Sequence, residues 1–231
     1  MMRLAAAALA LALALCACSG NADDAFVADA RQLHRSVVLL SMRIPPENKK
    51  DGYDDGYATG IVVASGNWGS DVLTVQHAID QAWDLHVTYD NAHKAPAATI
   101  AANADLDVAL VRTPLANLPV AHLGSSAHLG DQIGRSVGLL GYPIPDEFED
   151  EELGPGTSLN AGRLSSIRKD ALEVTLPIVP GESGGPVFLV DTGEIVGLAD
   201  SRFDDERSIG FAIPIDDAKN FLHRVDALHG F

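Results

Sequence analysis

Twelve short apolar runs, separated by Gly, Asn, Asp and Pro, follow one another along most of this 231-residue chain. Runs of this length, broken in this way, are typical of β-strands. The first six lie near 37–43, 59–65, 71–75, 84–89, 95–103 and 107–112, and the second six near 136–142, 157–166, 171–178, 186–190, 193–200 and 208–213. Six strands followed by six more predict an all-β fold of two six-stranded antiparallel barrels.

Before the first and after the last of these strands, apolar residues recur at the spacing of a helix. A short helix is predicted over 25–34 and an amphipathic closing helix over 214–228, with Pro214 near its start, where a missing N–H costs little. The resulting division is an N-terminal segment and first barrel over 19–122, and a second barrel with the closing helix over 123–231.

Residues 1–18 have the pattern of an export signal, with Arg3 followed by an Ala/Leu run. The run is shorter than the roughly 20 apolar residues that cross a bilayer. Leu15-Cys16-Ala17-Cys18 resembles the lipobox of bacterial lipoproteins, which predicts cleavage before Cys18 and a lipid on that cysteine. Ordinary cleavage nearby, such as after Ala22, is the alternative.

The cysteine content and the net charge limit where in the cell the protein is expected and which partners it can bind. Cys16 and Cys18 are the only cysteines, so the mature domain is expected to fold without disulfides, as suits a bacterial envelope or periplasmic protein. Acidic residues outnumber Lys plus Arg by 32 to 16. This balance argues against nucleic-acid partners and against membrane contact other than through the N-terminal lipid. The sequence sets no oligomeric state.

Three separated segments carry the residue types of a serine nucleophile and its base. The turn at 180–186 is rich in glycine and contains Ser183, and the amides of Gly181 and Ser183 are predicted to bind a developing oxyanion. His77 follows a predicted strand and can act as the base, and Asp107 opens another strand and can orient that base. Each feature alone also has a purely structural explanation. Their combination, in the order His, Asp, Ser, favours catalysis.

With these segments the chain resembles a trypsin-like peptidase of the chymotrypsin fold, in particular the bacterial HtrA (Deg) branch. The runs 137–143, 161–165 and 209–214 also look like that branch's strands near the active site. The resemblance implies a catalytic triad of His77, Asp107 and Ser183, polypeptide substrates and no cofactor. PDZ domains usually follow the protease domain in this branch, but the chain ends before one could begin, so PDZ-mediated substrate capture is not expected.

Two residues depart from the pattern of the branch. Glu182 stands where Asn is usual, and it has no obvious partner in the sequence. Its carboxylate is therefore a candidate ligand of the oxyanion amides, which would keep resting activity low. Asp200 stands where the branch tends to have a hydroxyl residue close to the catalytic aspartate, and a second carboxylate there is electrostatically unfavourable.

The resemblance also implies a primary specificity pocket. Its floor would be Pro177, with Ile178 beside it and Leu198 and Ala199 on the neighbouring strand. Such an apolar pocket predicts cleavage after small or medium aliphatic residues.

Six acids in the segment 146–152 are interpreted as a solvated loop. A cation site or a docking surface for basic polypeptide is the alternative, but the segment lacks the ligand pattern of a calcium loop. The other histidines show no metal-ligand spacing, so no metal is expected.

Two functions fit these observations. The first is a serine endopeptidase that cleaves exported, unfolded or damaged proteins through an acyl-enzyme on Ser183. The second is a catalytically silent protease fold that binds or senses such chains, and it is motivated by Glu182 and Asp200.

Overall fold

The computed structural model describes residues 22–46, 52–200 and 209–229. The first lobe consists, in chain order, of α1 (Ala22–His34), β1 (Val37–Ile44), β2 (Asp54–Gly66), β3 (Gly69–Val75), α2 (Gln76–Ile79), β4 (Trp83–Tyr89), β5 (His93–Pro96), β6 (Ala98–Asn103) and β7 (Val108–Thr113). The second consists of a 3-10 helix (Gly130–Gln132), β8 (Ser136–Gly141), α3 (Pro145–Asp150), β9 (Ser158–Ile167), β10 (Leu172–Val174), β11 (Pro186–Leu189), β12 (Ile195–Asp200), β13 (Gly210–Pro214) and α4 (Ile215–His229).

The first lobe is a curled sheet with the strand order β5-β4-β1-β2-β3-β7-β6. The single strand predicted over 95–103 is divided, because β5 pairs with β4 whereas β6 pairs with β7 at the opposite edge. Only Ala97 separates β5 from β6, and its N–H donates to the carbonyl oxygen of Leu85 at 2.8 Å. The two edges of the sheet are thus joined covalently. In the described residues this lobe is a half-barrel of seven strands, where six in a closed barrel were predicted.

The second lobe is a closed barrel with the strand order β10-β13-β12-β11-β8-β9. This confirms the predicted six-stranded antiparallel barrel, although β10 is shorter than the run from which it was predicted. The helices at both ends of the chain are confirmed as well.

One apolar core joins the two lobes and the two terminal helices. It contains Leu73 of the first lobe, Phe188 of the second, Leu33 of α1 and Phe221 of α4, all buried. The ring of Phe26 in α1 also stacks on Phe188, with centroids 6.0 Å apart. Because this shared core packs both lobes together, it sets the position of residues on one lobe relative to those on the other.

The acidic segment after Tyr142 is a short helix, not the loop that was predicted. Pro145 begins α3, where its fixed φ suits the first helical turn, and Asp146 and Glu147 lie in that turn. Within the described ranges, every helix falls short of the length and apolar character that a bilayer crossing requires.

Candidate active site

Strand pairing in the first lobe brings His77 and Asp107 together. β3 and β7 are antiparallel neighbours, with Val75 opposite Val108, so the residues just after β3 and just before β7 lie at the same edge. His77 is in the one-turn helix α2, directly after β3, and Asp107 immediately precedes β7.

Asp107 holds the imidazole and the backbone of His77 at once. Its Oδ2 lies 2.7 Å from His77 Nδ1, and its Oδ1 accepts the His77 backbone N–H at 2.8 Å. Asp107 is buried and has a φ of +53°, a left-handed conformation that aspartate tolerates better than most residues. A carboxylate at Nδ1 keeps the proton on that nitrogen, so the Nε2 lone pair is available as a base.

The nucleophile comes from the second lobe. Ser183 lies in the turn between β10 and β11, and its Oγ is 3.3 Å from His77 Nε2. The Ser183 carbonyl oxygen accepts the N–H of Thr59, a residue of β2, at 2.9 Å. A hydroxyl-to-imidazole distance of this kind shortens when substrate binds. The structure therefore brings His77, Asp107 and Ser183 into the arrangement of a catalytic triad.

Glycines allow the turn around Ser183 to pack closely against its neighbours. Gly181 has a φ of +90°, and a Cβ there would lie 2.2 Å from the Tyr142 carbonyl oxygen. Gly184 has a φ of +86°, and a Cβ there would lie 2.2 Å from the Thr59 carbonyl oxygen. No other residue fits either position without moving the backbone. The assignment of the Gly181 and Ser183 amides to the oxyanion hole stays a prediction.

Thr59 is a site residue that the sequence analysis missed. Its hydroxyl donates to the Gly181 carbonyl oxygen at 2.7 Å and accepts the Tyr142 N–H at 3.0 Å. The side chain is fully buried, in the part of β2 where the neighbouring residues at 58 and 60–64 are apolar or glycine. A buried hydroxyl needs a partner, so a polar residue opening the apolar run at 59–65 was the signal that could have identified it.

Glu182 does not occupy the oxyanion amides, and the expectation that it would is wrong. Its Oε2 accepts the Val179 N–H at 3.0 Å, and its Oε1 accepts a hydrogen bond from Asn160 Nδ2 at 3.1 Å. Gly141 makes room for it, since a Cβ there would lie 3.0 Å from Glu182 Cγ. The side chain is fully buried, and this burial raises its pKa despite the two hydrogen bonds, which act in the opposite direction. Glu182 is thus an internal support of the turn.

Asp200 lies close to the catalytic pair, as the resemblance implied. One potential ligand atom each of His77, Asp107 and Asp200 lies within 4.8 Å of the others, and Asp200 is buried. In the described part of the chain these three residues form the group that could hold a metal ion.

The four residues predicted for the specificity pocket lie in different environments. Pro177 is exposed and Ile178 is half-buried, whereas Leu198 and Ala199 are fully buried in the core. Ala199 is tied to the catalytic turn, because its carbonyl oxygen accepts the Gly184 N–H at 2.8 Å.

A cavity of about 530 Å³ opens beside Ser183 and His77. None of the four predicted pocket residues lines this cavity, so the specificity pocket stays a prediction. The predicted lipidation site, Cys18, lies outside the described residues.

The comparison with protein families agrees with this geometry. The family model described as "Trypsin-like peptidase domain" matches residues 58–198, which include all three triad residues. The chain belongs to the trypsin-like peptidase family. Within this family it is 29% identical over 194 residues to the putative serine protease HhoB of Synechocystis, covering 79% of this chain and 42% of HhoB. It is 27% identical over 178 residues to a probable periplasmic serine endoprotease, DegP-like, of Halomonas elongata, covering 72% of this chain and 34% of that protein.

Two solved protease structures share the fold of this chain. The serine endoprotease from Yersinia pestis matches with a TM-score of 0.67 at 23% identity, covering 87% of this chain and 66% of that one. The HtrA-type protease AlgW with a tripeptide matches with a TM-score of 0.69 at 21% identity, covering 89% of this chain and 64% of that one. The chain spans less than half the length of the two curated relatives named above.

Proposed function

We propose that this protein is a serine endopeptidase that hydrolyses polypeptides through an acyl-enzyme on Ser183. The observation that carries the proposal is the chain of contacts from Asp107 through His77 to Ser183, with 2.7 Å at Nδ1 and 3.3 Å at Nε2. An orienting carboxylate, a base and a hydroxyl in this sequence are what nucleophilic acyl transfer needs.

The reaction follows from these positions. Ser183 Oγ attacks the substrate carbonyl carbon and passes its proton to His77 Nε2, and Asp107 stabilises the imidazolium that forms. The amides of Gly181 and Ser183 are proposed to hold the carbonyl oxygen while it is negatively charged. His77 then gives the proton to the leaving amine as the C–N bond breaks. Water, deprotonated by His77, hydrolyses the ester and restores the Ser183 hydroxyl.

The test is Ser183→Ala. The variant is expected to lose casein cleavage and fluorophosphonate labelling and to keep the melting temperature of the wild type, because the hydroxyl serves chemistry more than packing. Equal proteolysis by the variant would show that another residue, or a contaminant, is responsible.

The proposed substrates are unfolded or damaged polypeptides outside the cytoplasm. The names of the curated relatives, which include periplasmic DegP-like endoproteases, and the export-type pattern of residues 1–18 support this. The proposal is tested by comparing cleavage of native and reduced, carboxymethylated forms of one secreted protein. Equal rates on both forms would argue against selection of unfolded chains.

We also propose that a lipid on Cys18 holds the protein at a membrane. Cys18→Ser is expected to move the protein from the membrane fraction to the soluble envelope fraction, with Cys16→Ser as the matched control. Unchanged fractionation of the Cys18 variant would mean that another feature retains the protein.

The catalytically silent alternative depended on Glu182 and Asp200 disturbing the site. The Glu182 carboxylate instead contacts Val179 and Asn160, so Glu182 gives no reason to expect a blocked oxyanion site. Asp200 does lie close to His77 and Asp107, but Asp107 still contacts His77 Nδ1 and Ser183 still contacts His77 Nε2, which supports an active triad.

A further inference from the structure

The cavity beside Ser183 has strongly acidic walls. Asp55, Asp80 and Asp146 line it together with Ser183 and His77, and among the described residues of its lining there is no Lys or Arg. Asp55 and Asp80 belong to the first lobe and Asp146 to α3 of the second, so both walls of the cavity carry negative charge. The acids alone would not make a binding site. Their position matters because a polypeptide attacked by Ser183 has to pass through this cavity.

In the described part of the chain none of the three carboxylates forms an ion pair. Arg43 lies opposite Asp55 on β1, but its guanidinium pairs with Asp84. Asp80 accepts hydrogen bonds from two uncharged amides, Gln76 Nε2 at 3.0 Å and Gln81 Nε2 at 3.4 Å. Each of the three residues is exposed and therefore accessible to a cationic side chain.

Tyr57, on the cavity wall, lies close to two of these acids and to Glu149. Its hydroxyl donates to Glu149 Oε2 at 3.4 Å. Burial, followed by the charges of Glu149, Asp55 and Asp146, raises the pKa of Tyr57 to about 12. A second anion is thus disfavoured at this wall, and for the same electrostatic reason a cation is favoured.

The cavity lies on the leaving-group side of the scissile bond. Its lining includes His77, which protonates the departing amine, and continues to Ala78 and Asp80 just beyond it. Its lining does not include Pro177 or Ile178, which are predicted to lie where the residue before the cleaved bond binds. The substrate residues that enter the cavity are therefore those that follow the cleaved bond.

We infer that this cavity selects substrates with lysine or arginine in the two positions after the cleaved bond. The inference rests on the proposed endopeptidase function and names its substrate class. A cationic side chain entering here would be attracted by carboxylates of both lobes, and a Glu or Asp side chain would be repelled. Because all three acids are exposed, each contact contributes modestly, and selection comes from their sum.

The test uses three quenched fluorescent peptides that share one sequence, with an aliphatic residue before the cleaved bond. The two positions after the bond are Lys-Lys, Gln-Gln or Glu-Glu, and mass spectrometry verifies the cleaved bond. At about 0.05 M NaCl we expect kcat/KM to be about tenfold higher for the Lys-Lys peptide than for the Gln-Gln peptide, with the Glu-Glu peptide slowest. At about 0.5 M NaCl the preference should largely vanish, because salt screens exposed charges.

Substitutions locate the preference. In Asp55→Asn/Asp146→Asn the ratio of Lys-Lys to Gln-Gln cleavage is expected to fall to about twofold, since only Asp80 remains. The matched control is Asp131→Asn/Asp226→Asn, which removes the same charge from exposed positions outside the cavity and should keep the wild-type ratio. A reduction of the ratio in the control as large as in the cavity variant would assign the preference to overall charge and overturn the inference.

The outcomes separate the two proposals. Equal kcat/KM for the three peptides with wild-type protein would overturn the charge selection and leave the endopeptidase function standing. Failure to cleave any peptide or casein, with the fold intact by circular dichroism, would overturn both.

Discussion

The hydroxyl of Thr59 donates to the Gly181 carbonyl oxygen at 2.7 Å, so a strand of the first lobe holds the turn that carries the nucleophile of the second. The same hydroxyl accepts the Tyr142 N–H at 3.0 Å. The backbone N–H of Thr59 adds a hydrogen bond to the Ser183 carbonyl oxygen. Thr59 is therefore a positioning residue, acting on the turn without touching the reacting atoms.

Replacing Thr59 with valine keeps the shape of the side chain and removes both of its hydrogen bonds. We expect kcat to fall about 10- to 100-fold with a smaller change in KM, because the turn is displaced relative to His77. Thr59→Ser should restore most of the rate. Thr113→Val is the matched control, since Thr113 is also buried and bonds the distant Pro96 carbonyl oxygen. A rate loss in Thr113→Val as large as in Thr59→Val would indicate general destabilisation.

Glu182→Asn introduces the residue usual in the HtrA branch, and the structure predicts that it lowers activity. Asparagine is one methylene shorter and cannot reach both the Val179 N–H and Asn160, so at least one of these half-buried donors loses its acceptor. We expect a lower kcat on an unstructured substrate and a loss of about 1–3 kcal/mol in the free energy of unfolding. Glu194→Asn, at an exposed position, is the control. An increase in kcat would restore the idea that Glu182 restrains the enzyme.

The buried acid also makes stability depend on pH. Because burial raises the Glu182 pKa above its ordinary value of 4.5, the fold favours the protonated form. The contribution of this group to stability is fully present below pH 4.5 and is lost as pH rises through its folded-state pKa. In Glu182→Gln this dependence is absent, and Asn160 can turn its amide to accept the new N–H. The difference in melting temperature, variant minus wild type, should therefore increase from pH 4.5 towards pH 8. A constant difference would show that Glu182 does not titrate over that range.

The strands β3 and β7, which position His77 and Asp107, are joined by an ion pair between Asp71 and Arg112. These residues face each other on β3 and β7, and the guanidinium binds the carboxylate through Nε at 2.7 Å and Nη2 at 2.8 Å. Arg112 also lies over the Trp68 ring, 4.7 Å from its centroid. Arg112→Lys cannot make the forked contact, so we expect a loss of about 1–2 kcal/mol in chemical denaturation. Arg168→Lys, at a more exposed pair with Glu173, should cost less. An equal cost for both would contradict this account.

The sequence predicted those features that depend on local pattern. Alternating apolar runs and their breaks gave the strands of the second barrel and both terminal helices, because side-chain periodicity is a local property. The catalytic residues could be assigned from residue type, from their position at strand ends and from the family resemblance. The distances within the triad then agreed with that assignment.

Features that depend on long-range pairing could not be predicted. Pro96 and Ala97 read as part of one strand, yet Ala97 bonds to Leu85 and divides the strand between two sheet edges. The partners of Glu182 lie on another strand and in the preceding loop, and a sequence does not show which buried donors face an acid. Thr59 could have been noticed as a polar residue opening an apolar run, but its partner Gly181 belongs to the other lobe and could not be read from the sequence.

The shared core between the lobes has a consequence for the fate of damaged copies of the protein itself. His77 and Asp107 lie on one side of that core and Ser183 on the other, so any displacement of one lobe relative to the other breaks the contact between base and nucleophile. If the enzyme digests unfolded chains, as proposed, then unfolded copies of the same protein are also possible substrates. Under the proposed function, a copy whose lobes have been displaced has lost its own activity by the time it unfolds and becomes a substrate for intact copies.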